Sequence, residues 1–181
     1  MSRLNLVTST NATPEQQQLL DGIQSQLGMV PNFLRALANS PVALRAFLGL
    51  HGVAGAGVLD ARTRERIALA LAQANGCQYC VSAHTAIGRK AGLSSAEVAA
   101  ARAGSSEDAQ ASEAVRFALS LAARTGEIDA TELMVIRNAG YSDAAIVEII
   151  THVGMNLLTN ILGKAGQIDI DFPTVEMQLA H

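Results

Sequence analysis

No segment of this chain alternates apolar and polar residues at the period of two that a half-buried strand requires. It carries instead a succession of helix signals with little between them. Thr13-Pro14-Glu15-Gln16 combines an N-cap, a proline at the first helical position and a capping-box residue, and Val30-Pro31-Asn32 breaks the helix that follows. Ser40-Pro41 starts a second helix, running toward the loose Gly52–Gly57 region, and Asp60 or Thr63 caps an alanine-rich third through about Asn75, with Gly76 as its stop. A helix then runs to Ala91-Gly92, and Ser94-Ser95-Ala96-Glu97 is the capping box of a short one. Ser106 or Asp108 opens a longer helix through Arg124, Asp129-Ala130-Thr131-Glu132 caps another, and Ser142 opens the last. These signals predict one all-α domain over residues 1–181, of about eight helices, with 1–12 and 174–181 as flexible or interface arms.

Two patterns stand out within that series. Ala91-Gly92-Leu93-Ser94-Ser95-Ala96 resembles Ala139-Gly140-Tyr141-Ser142-Asp143-Ala144, and Val98 then matches Ile146. Each copy is a helix end, an Ala-Gly stop, a serine cap and a new helix, which suggests an internal helical repeat, although any tight helix–helix turn can use the same residues. In the most apolar segment, Ala144 to Leu162, the polar residues Glu148, His152, Asn156 and Asn160 recur at every fourth position. They form one line on a helix that must be largely buried, where they line the active-site cavity, bridge subunits or face solvent. That line also argues against a membrane span.

Composition narrows the picture. Apolar residues make up 49% but aromatics only 3%, so the core is built from Ala, Leu, Ile and Val, which suits close-packed helices. A net charge of −3 with scattered basic residues leaves no electrostatic footprint for nucleic acid and no polybasic segment for a membrane. The first residues hold no apolar run long enough for a signal peptide, and the expectation is a soluble, cytoplasmic protein. In that compartment a lone CxxC is more often catalytic or metal-binding than a structural staple.

The two cysteines are Cys77 and Cys80, and His84 follows four residues later. On a helix all three fall within roughly a 60° arc, placing two sulfurs and an imidazole on one face near the helix N-terminus. Peroxide reduction by cysteine needs a thiolate to attack the O–O bond and a second thiol to condense with the resulting sulfenic acid. His84, one turn beyond Cys80, favours Cys80 as the attacking sulfur and Cys77 as the resolving one; the reverse remains open because Cys77 lies nearer the helix N-terminus. An inert buried pair and a zinc site, with a carboxylate beside Cys77, Cys80 and His84, are the alternatives, though there is no second Cys/His cluster. Turning at Gly76 would lay the Ala61–Asn75 helix antiparallel to the CxxC helix and bring Glu65 toward His84; spacing alone favours a surface Glu65 paired with Arg62 or Arg66. His51 precedes a glycine-rich segment that lacks phosphate-loop spacing and reads as a flexible helix end or lid, and His181 is terminal.

The combination of Glu65 with Cys77-x-x-Cys80-x-x-x-His84 resembles the active-site motif of alkylhydroperoxidase D (AhpD)-like proteins, in the carboxymuconolactone decarboxylase superfamily. Gly28-Met-Val-Pro-Asn32, Ser40-Pro41, Thr63-Arg-Glu-Arg-Ile67, Asn75-Gly-Cys-Gln-Tyr-Cys80, the Asn156–Asn160 stretch and Ile170-Asp-Phe-Pro173 extend the likeness over roughly residues 10 to 175, closest to the peroxidase-related branch. The resemblance implies an all-helical fold with an internal repeat, assembled as a homotrimer or homohexamer. It implies a thiol peroxidase acting on hydrogen peroxide or small organic hydroperoxides, in which Cys80 attacks, Cys77 resolves, and Glu65 and His84 relay protons. No metal or organic cofactor enters that chemistry, and the electron donor is a lipoyl-bearing or thioredoxin-like protein. A disulfide carrier serving a separate peroxiredoxin, or a lyase like decarboxylase relatives that generally lack CxxC, are the rival readings. One position departs from the pattern: the residue before the second cysteine, a histidine in the best-known AhpD proteins, is Tyr79.

Overall fold

The computed structural model describes residues 1–178; residues 179–181, His181 among them, lie outside the described residues. Among the described residues there are nine α-helices and no strand: α1 (Pro14–Leu27), α2 (Asn32–Leu37), α3 (Pro41–Ala54), α4 (Ala61–Ala74), α5 (Gln78–Lys90), α6 (Ser95–Arg102), α7 (Ala109–Ala123), α8 (Ala130–Asn138) and α9 (Asp143–Ala165). The helix beyond the expected eight is α2. Its N-cap is Pro31, which makes no side-chain capping bond, so the sequence there reads as a break.

Elsewhere the caps explain the boundaries. Thr13 and Gln16 form a reciprocal capping box on α1, and Asp129 with Glu132 does the same on α8. Asp60, Ser94, Asp108 and Ser142 each accept a backbone N–H at the start of α4, α6, α7 and α9. The two turns of the sequence repeat superpose in kind: Gly92 and Gly140 take φ values of 96° and 97°, a left-handed conformation that strains any L side chain. Asp60 and Asp108, Gly92 and Gly140, and Ser94 and Ser142 are all separated by the same offset, so a single register relates α4–α5–α6 to α7–α8–α9.

The central element is α4, which packs on α5, α6, α7 and α9. From Ile67 to Ala72 every residue is buried, and the alternation of alanine with Leu and Ile lets neighbouring helices approach on all sides. One core cluster joins α4, α7, α8 and α9 through Ile67, Leu71, Val115, Ile136 and Ile149. A second joins the N-terminal helices to α5 through Leu20, Phe33, Leu34, Tyr79 and Val81.

The segments expected as arms are held along their described residues. Val7 is 1% exposed and its N–H donates to the Arg35 carbonyl. At the other end the Val175 N–H donates to Ser82 Oγ on α5, and the Glu176 carbonyl accepts from Arg102. By length and composition α9 could cross a membrane; here it packs on α3, α4, α5 and α7. His152, Asn156 and Asn160 are buried, and Val147, Ile150, Leu158 and Ile161 form an exposed apolar line. The polar line therefore faces the protein interior at these three positions, so the solvent-facing alternative is wrong for them.

Candidate active site

The site begins at the turn between α4 and α5. Gly76, with φ of 67°, reverses the chain, and Cys77 becomes the N-cap of α5. Its sulfur does what an oxygen usually does at that position: the Cys80 N–H donates to Cys77 Sγ at 3.3 Å. The two cysteines are joined as a disulfide, with Cα atoms 5.3 Å apart. Both are buried, Cys77 at 1% and Cys80 at 3% exposure.

The last turns of α9 close over the pair. A Cβ placed on Gly163 would lie 2.9 Å from Cys77 Sγ and 3.5 Å from Cys80 Sγ, so only glycine lets α9 approach this closely. One turn earlier the Thr159 carbonyl oxygen lies 3.8 Å from Cys80 Sγ. Beside this contact, a cleft of about 500 Å³ opens between the end of α4 and α9, lined by Asn75, Leu157, Asn160, Ile161 and Lys164.

His84 sits one turn along α5 from Cys80, and its Nδ1 is 2.8 Å from Glu65 Oε2 on α4. With Nδ1–H donating to the carboxylate, Nε2 is the nitrogen left to take and return a proton. Close helix packing makes the pairing possible: a Cβ on Gly88, one turn further, would meet Leu93 at 3.0 Å and the Glu65 Cβ at 3.6 Å. The surface pairing of Glu65 with Arg66 that spacing favours does not form. Arg66 is drawn instead into a buried ion pair with Glu97 on α6, 3.1 Å away.

Tyr79 points elsewhere. Its hydroxyl donates to Asp171 Oδ1 at 2.9 Å and accepts the Phe33 N–H at 3.2 Å, while the ring packs against Phe33 and Phe172. Burial pushes the phenol far above its ordinary range. The residue at this position ties α5 to α2 and to the C-terminal segment.

The α9 line serves several ends. The Glu148 carboxylate accepts the N–H groups of Val58 and Leu59, each at 2.9 Å, and the Arg64 guanidinium donates to the Leu59 carbonyl. The bond from Val58, foremost, holds the Glu148 carboxyl below its ordinary value. The loop after α3, expected as a flexible end or lid, is thus held by α4 and α9 on its C-terminal side. His152 has the Ala54 carbonyl beside one ring nitrogen, finds no partner for Nε2, and is kept neutral to lower pH chiefly by burial. His51, on the last turn of α3, feels Glu65 and His84 electrostatically, with burial the larger influence and a lowered pKa as the result. Asn160 accepts from Asn75 Nδ2 at 2.8 Å and leaves its own Nδ2 without a partner. Sequence reasoning gave His51 no place at this site and included Asn160 only as one member of a polar line with three open readings. The unbroken i, i+4 spacing from Asn156 through Asn160 to Lys164, beside a helix stop at Gly76, is the signal that could have found Asn160. As for zinc, no set of three or more His, Cys, Asp or Glu side chains among the described residues is arranged to hold a metal ion.

The structure brings together a buried CxxC at a helix N-terminus and a Glu–His pair within an all-helical frame. Residues 41–124 match the Carboxymuconolactone decarboxylase family, and the fold is shared with solved structures described as AhpD-like and peroxidase-related. An uncharacterized peroxidase-related protein from Silicibacter sp. TM1040 is similar over 93% of this chain and 91% of its own, with 27% identity and a TM-score of 0.83. The AhpD-core, peroxidase-related protein from Ralstonia eutropha JMP134 shares the fold, with a TM-score of 0.84 and 23% identity over 94% of this chain and 92% of that one. A segment of 45 residues is 53% identical to an uncharacterized protein of Haemophilus influenzae, spanning 24% of this chain and 40% of that protein.

Proposed function

We propose that this protein is a dithiol peroxidase for hydrogen peroxide or small organic hydroperoxides. The observation that carries the reading is the 2.8 Å His84–Glu65 hydrogen bond, one helical turn from a CxxC pair. In the reduced protein, His84 takes the Cys80 proton while Glu65 orients and balances the imidazole. The Cys80 thiolate attacks the distal oxygen of ROOH, the O–O bond breaks, and RO⁻ leaves to collect the proton held by His84. Cys77 then attacks the Cys80 sulfenic acid, forming the disulfide and expelling hydroxide, which leaves as water with the Cys77 proton. The sum is E(SH)₂ + ROOH → E(S–S) + ROH + H₂O, and a dithiol reductant restores the thiols.

Exposures of 1% and 3% for the two cysteines favour a small oxidant. They also favour a slender reductant, such as a lipoyl arm, over disulfide exchange across a flat protein face. The carrier reading is the weaker one for that reason. The exposed line of Val147, Ile150, Leu158 and Ile161 on α9, with Leu50 and Val53 on α3, supports assembly as a homotrimer or homohexamer. A dithiol cycle with an external reductant suits the cytoplasm.

The test is thiol loss with intact mass when reduced protein meets one equivalent of organic hydroperoxide, against an unfolded control. Rapid loss of both thiols, abolished in Cys80→Ser and halted at one added oxygen in Cys77→Ser, is the expected result. Loss no faster than in the control would end the peroxidase reading. A turnover of some other substrate that survives removal of both cysteines would point to the lyase.

A further inference from the structure

Ionising a thiol at 3% exposure needs hydrogen-bond donors close by, because water is not there to supply them. The α5 N-terminus serves Cys77, whose sulfur accepts the Cys80 N–H. Among the described residues no backbone N–H bonds the Cys80 sulfur, and the Thr159 carbonyl lies against it, an acceptor that holds a thiol but repels a thiolate.

Asn160 stands beside that carbonyl. It is 1% exposed, and its Nδ2 is one of three buried side-chain nitrogen or oxygen atoms without a hydrogen-bond partner among the described residues. Its orientation is fixed from the other end: Oδ1 accepts from Asn75 Nδ2 at 2.8 Å, and the Asn75 carbonyl is held by Lys164 Nζ at 2.6 Å. On the helical wheel of α9, Gly163 falls between Thr159 and Asn160, and Gly163 is the residue against which both sulfurs pack. The missing side chain at 163 lets the sulfurs pack against α9 at the turn that carries Asn160. In this oxidised state Nδ2 bonds neither disulfide sulfur and is left free for a sulfur released by reduction.

We infer that Asn160 Nδ2 is the hydrogen-bond donor to the Cys80 sulfur once it becomes a thiolate, which makes Asn160 a further catalytic residue of the dithiol centre. The inference rests on Cys80 being the attacking sulfur. Other charged groups bear on the same ionisation: His84 on α5, Glu65 on α4, His51 on α3, and Lys164 on α9, whose Nζ is 3.9 Å from a Cβ position on Gly76. All of them stay in place in the variants that test Asn160.

The experiment is a pH titration of thiolate ultraviolet absorbance in reduced protein, paired with mapping of the alkylated cysteine, for wild type, Asn160→Ala and Asn160→Asp. Removing the donor should raise the Cys80 midpoint enough to slow its alkylation about tenfold at neutral pH. Asn160→Asp, almost identical in shape, should raise it further, because a carboxylate opposes the thiolate. A packing role predicts the opposite order, with Ala disturbed and Asp near wild type, and that order would overturn the inference. So would Cys80 midpoints in both variants indistinguishable from wild type while the circular dichroism remains native. The titration uses no hydroperoxide, so a shifted Cys80 midpoint in a protein that fails to consume peroxide would sink the peroxidase reading and leave Asn160 in its role.

Discussion

The halves α4–α5–α6 and α7–α8–α9 share one register, yet only the first carries the cysteine pair and the Glu–His bond. Their middle helices end together, at Lys90 and Asn138, but α5 begins a full turn earlier relative to its end than α8 does. That extra turn holds Cys80, with Cys77 as its cap. The offset that aligns the halves sets Glu65 opposite Glu113 and His84 opposite Glu132. In the second half Glu132 bonds Ser120 and Arg124, bonds that hold its carboxyl down to about 2, and Glu113 pairs with Arg116. Helices α6 and α9 diverge at the other end. Beyond Ile150, the counterpart of Arg102, α9 runs on through His152, Asn156, Thr159, Asn160 and Gly163. The site thus forms where an extra turn in one copy meets an extended helix in the other. The shared register supplies the frame, and the unequal helix lengths bring the cysteine pair against α9.

The comparison can be broken at its strongest point first. Glu65→Gln should slow hydroperoxide consumption about a hundredfold and raise the pH midpoint for thiol alkylation, whereas Glu113→Gln should change neither. Equal behaviour of the two variants in stopped-flow assays would mean that the halves differ in nothing but the cysteines. Next is Gly88, whose counterpart is the buried Ile136. Gly88→Ile should lower unfolding stability by roughly 1–3 kcal/mol, because Leu93 and Glu65 leave no room, and should separate Glu65 from His84. Urea denaturation reads the first effect and alkylation rate the second. Asp129→Ala, which removes the capping box of α8, should cost about 1 kcal/mol and leave thiol reactivity alone.

The smallest effect is a slope. His152, on the stretch of α9 without counterpart, is held by burial below the ordinary histidine value of 6.5. As pH falls below that value the unfolded chain takes up a proton that the folded chain refuses. Stability from this source is therefore complete above about 6.5 and declines below it. Denaturation midpoints measured between neutral and mildly acidic pH should fall less steeply in His152→Gln, with a residual slope from His51, which burial shifts in the same direction.

What could be read from the sequence was what is local. A cap bonds a backbone N–H two or three residues away, so Asp60, Ser94, Asp108, Asp129 and Ser142 announced their helices without help from the rest of the chain. Without a side-chain cap, α2 gave no such signal. Glu65 is the instructive case. Spacing alone put Arg66 within its reach, and nothing local reveals that Glu97 on α6 claims that arginine. The antiparallel turn at Gly76 made Glu65 a candidate, and the resemblance raised it above the surface pairing. The α9 line was legible as an anomaly, since four polar residues in an apolar helix demand partners, but their partners lie on other elements: the α3–α4 loop for Glu148, the α4–α5 turn for Asn160. Tyr79 was legible only as a departure, because its partner Asp171 is near the far end of the chain.

The chain has two tyrosines and no tryptophan. Tyr79 neighbours Cys80 and is hydrogen-bonded to a carboxylate, an arrangement that quenches phenol emission; Tyr141 lies in the turn before α9. Each half of the repeat therefore carries one fluorophore, undimmed by energy transfer to an indole. Any event that loosens Asp171 from α5 should brighten Tyr79 against the reference of Tyr141, and the protein reports on the surroundings of its CxxC pair without a label.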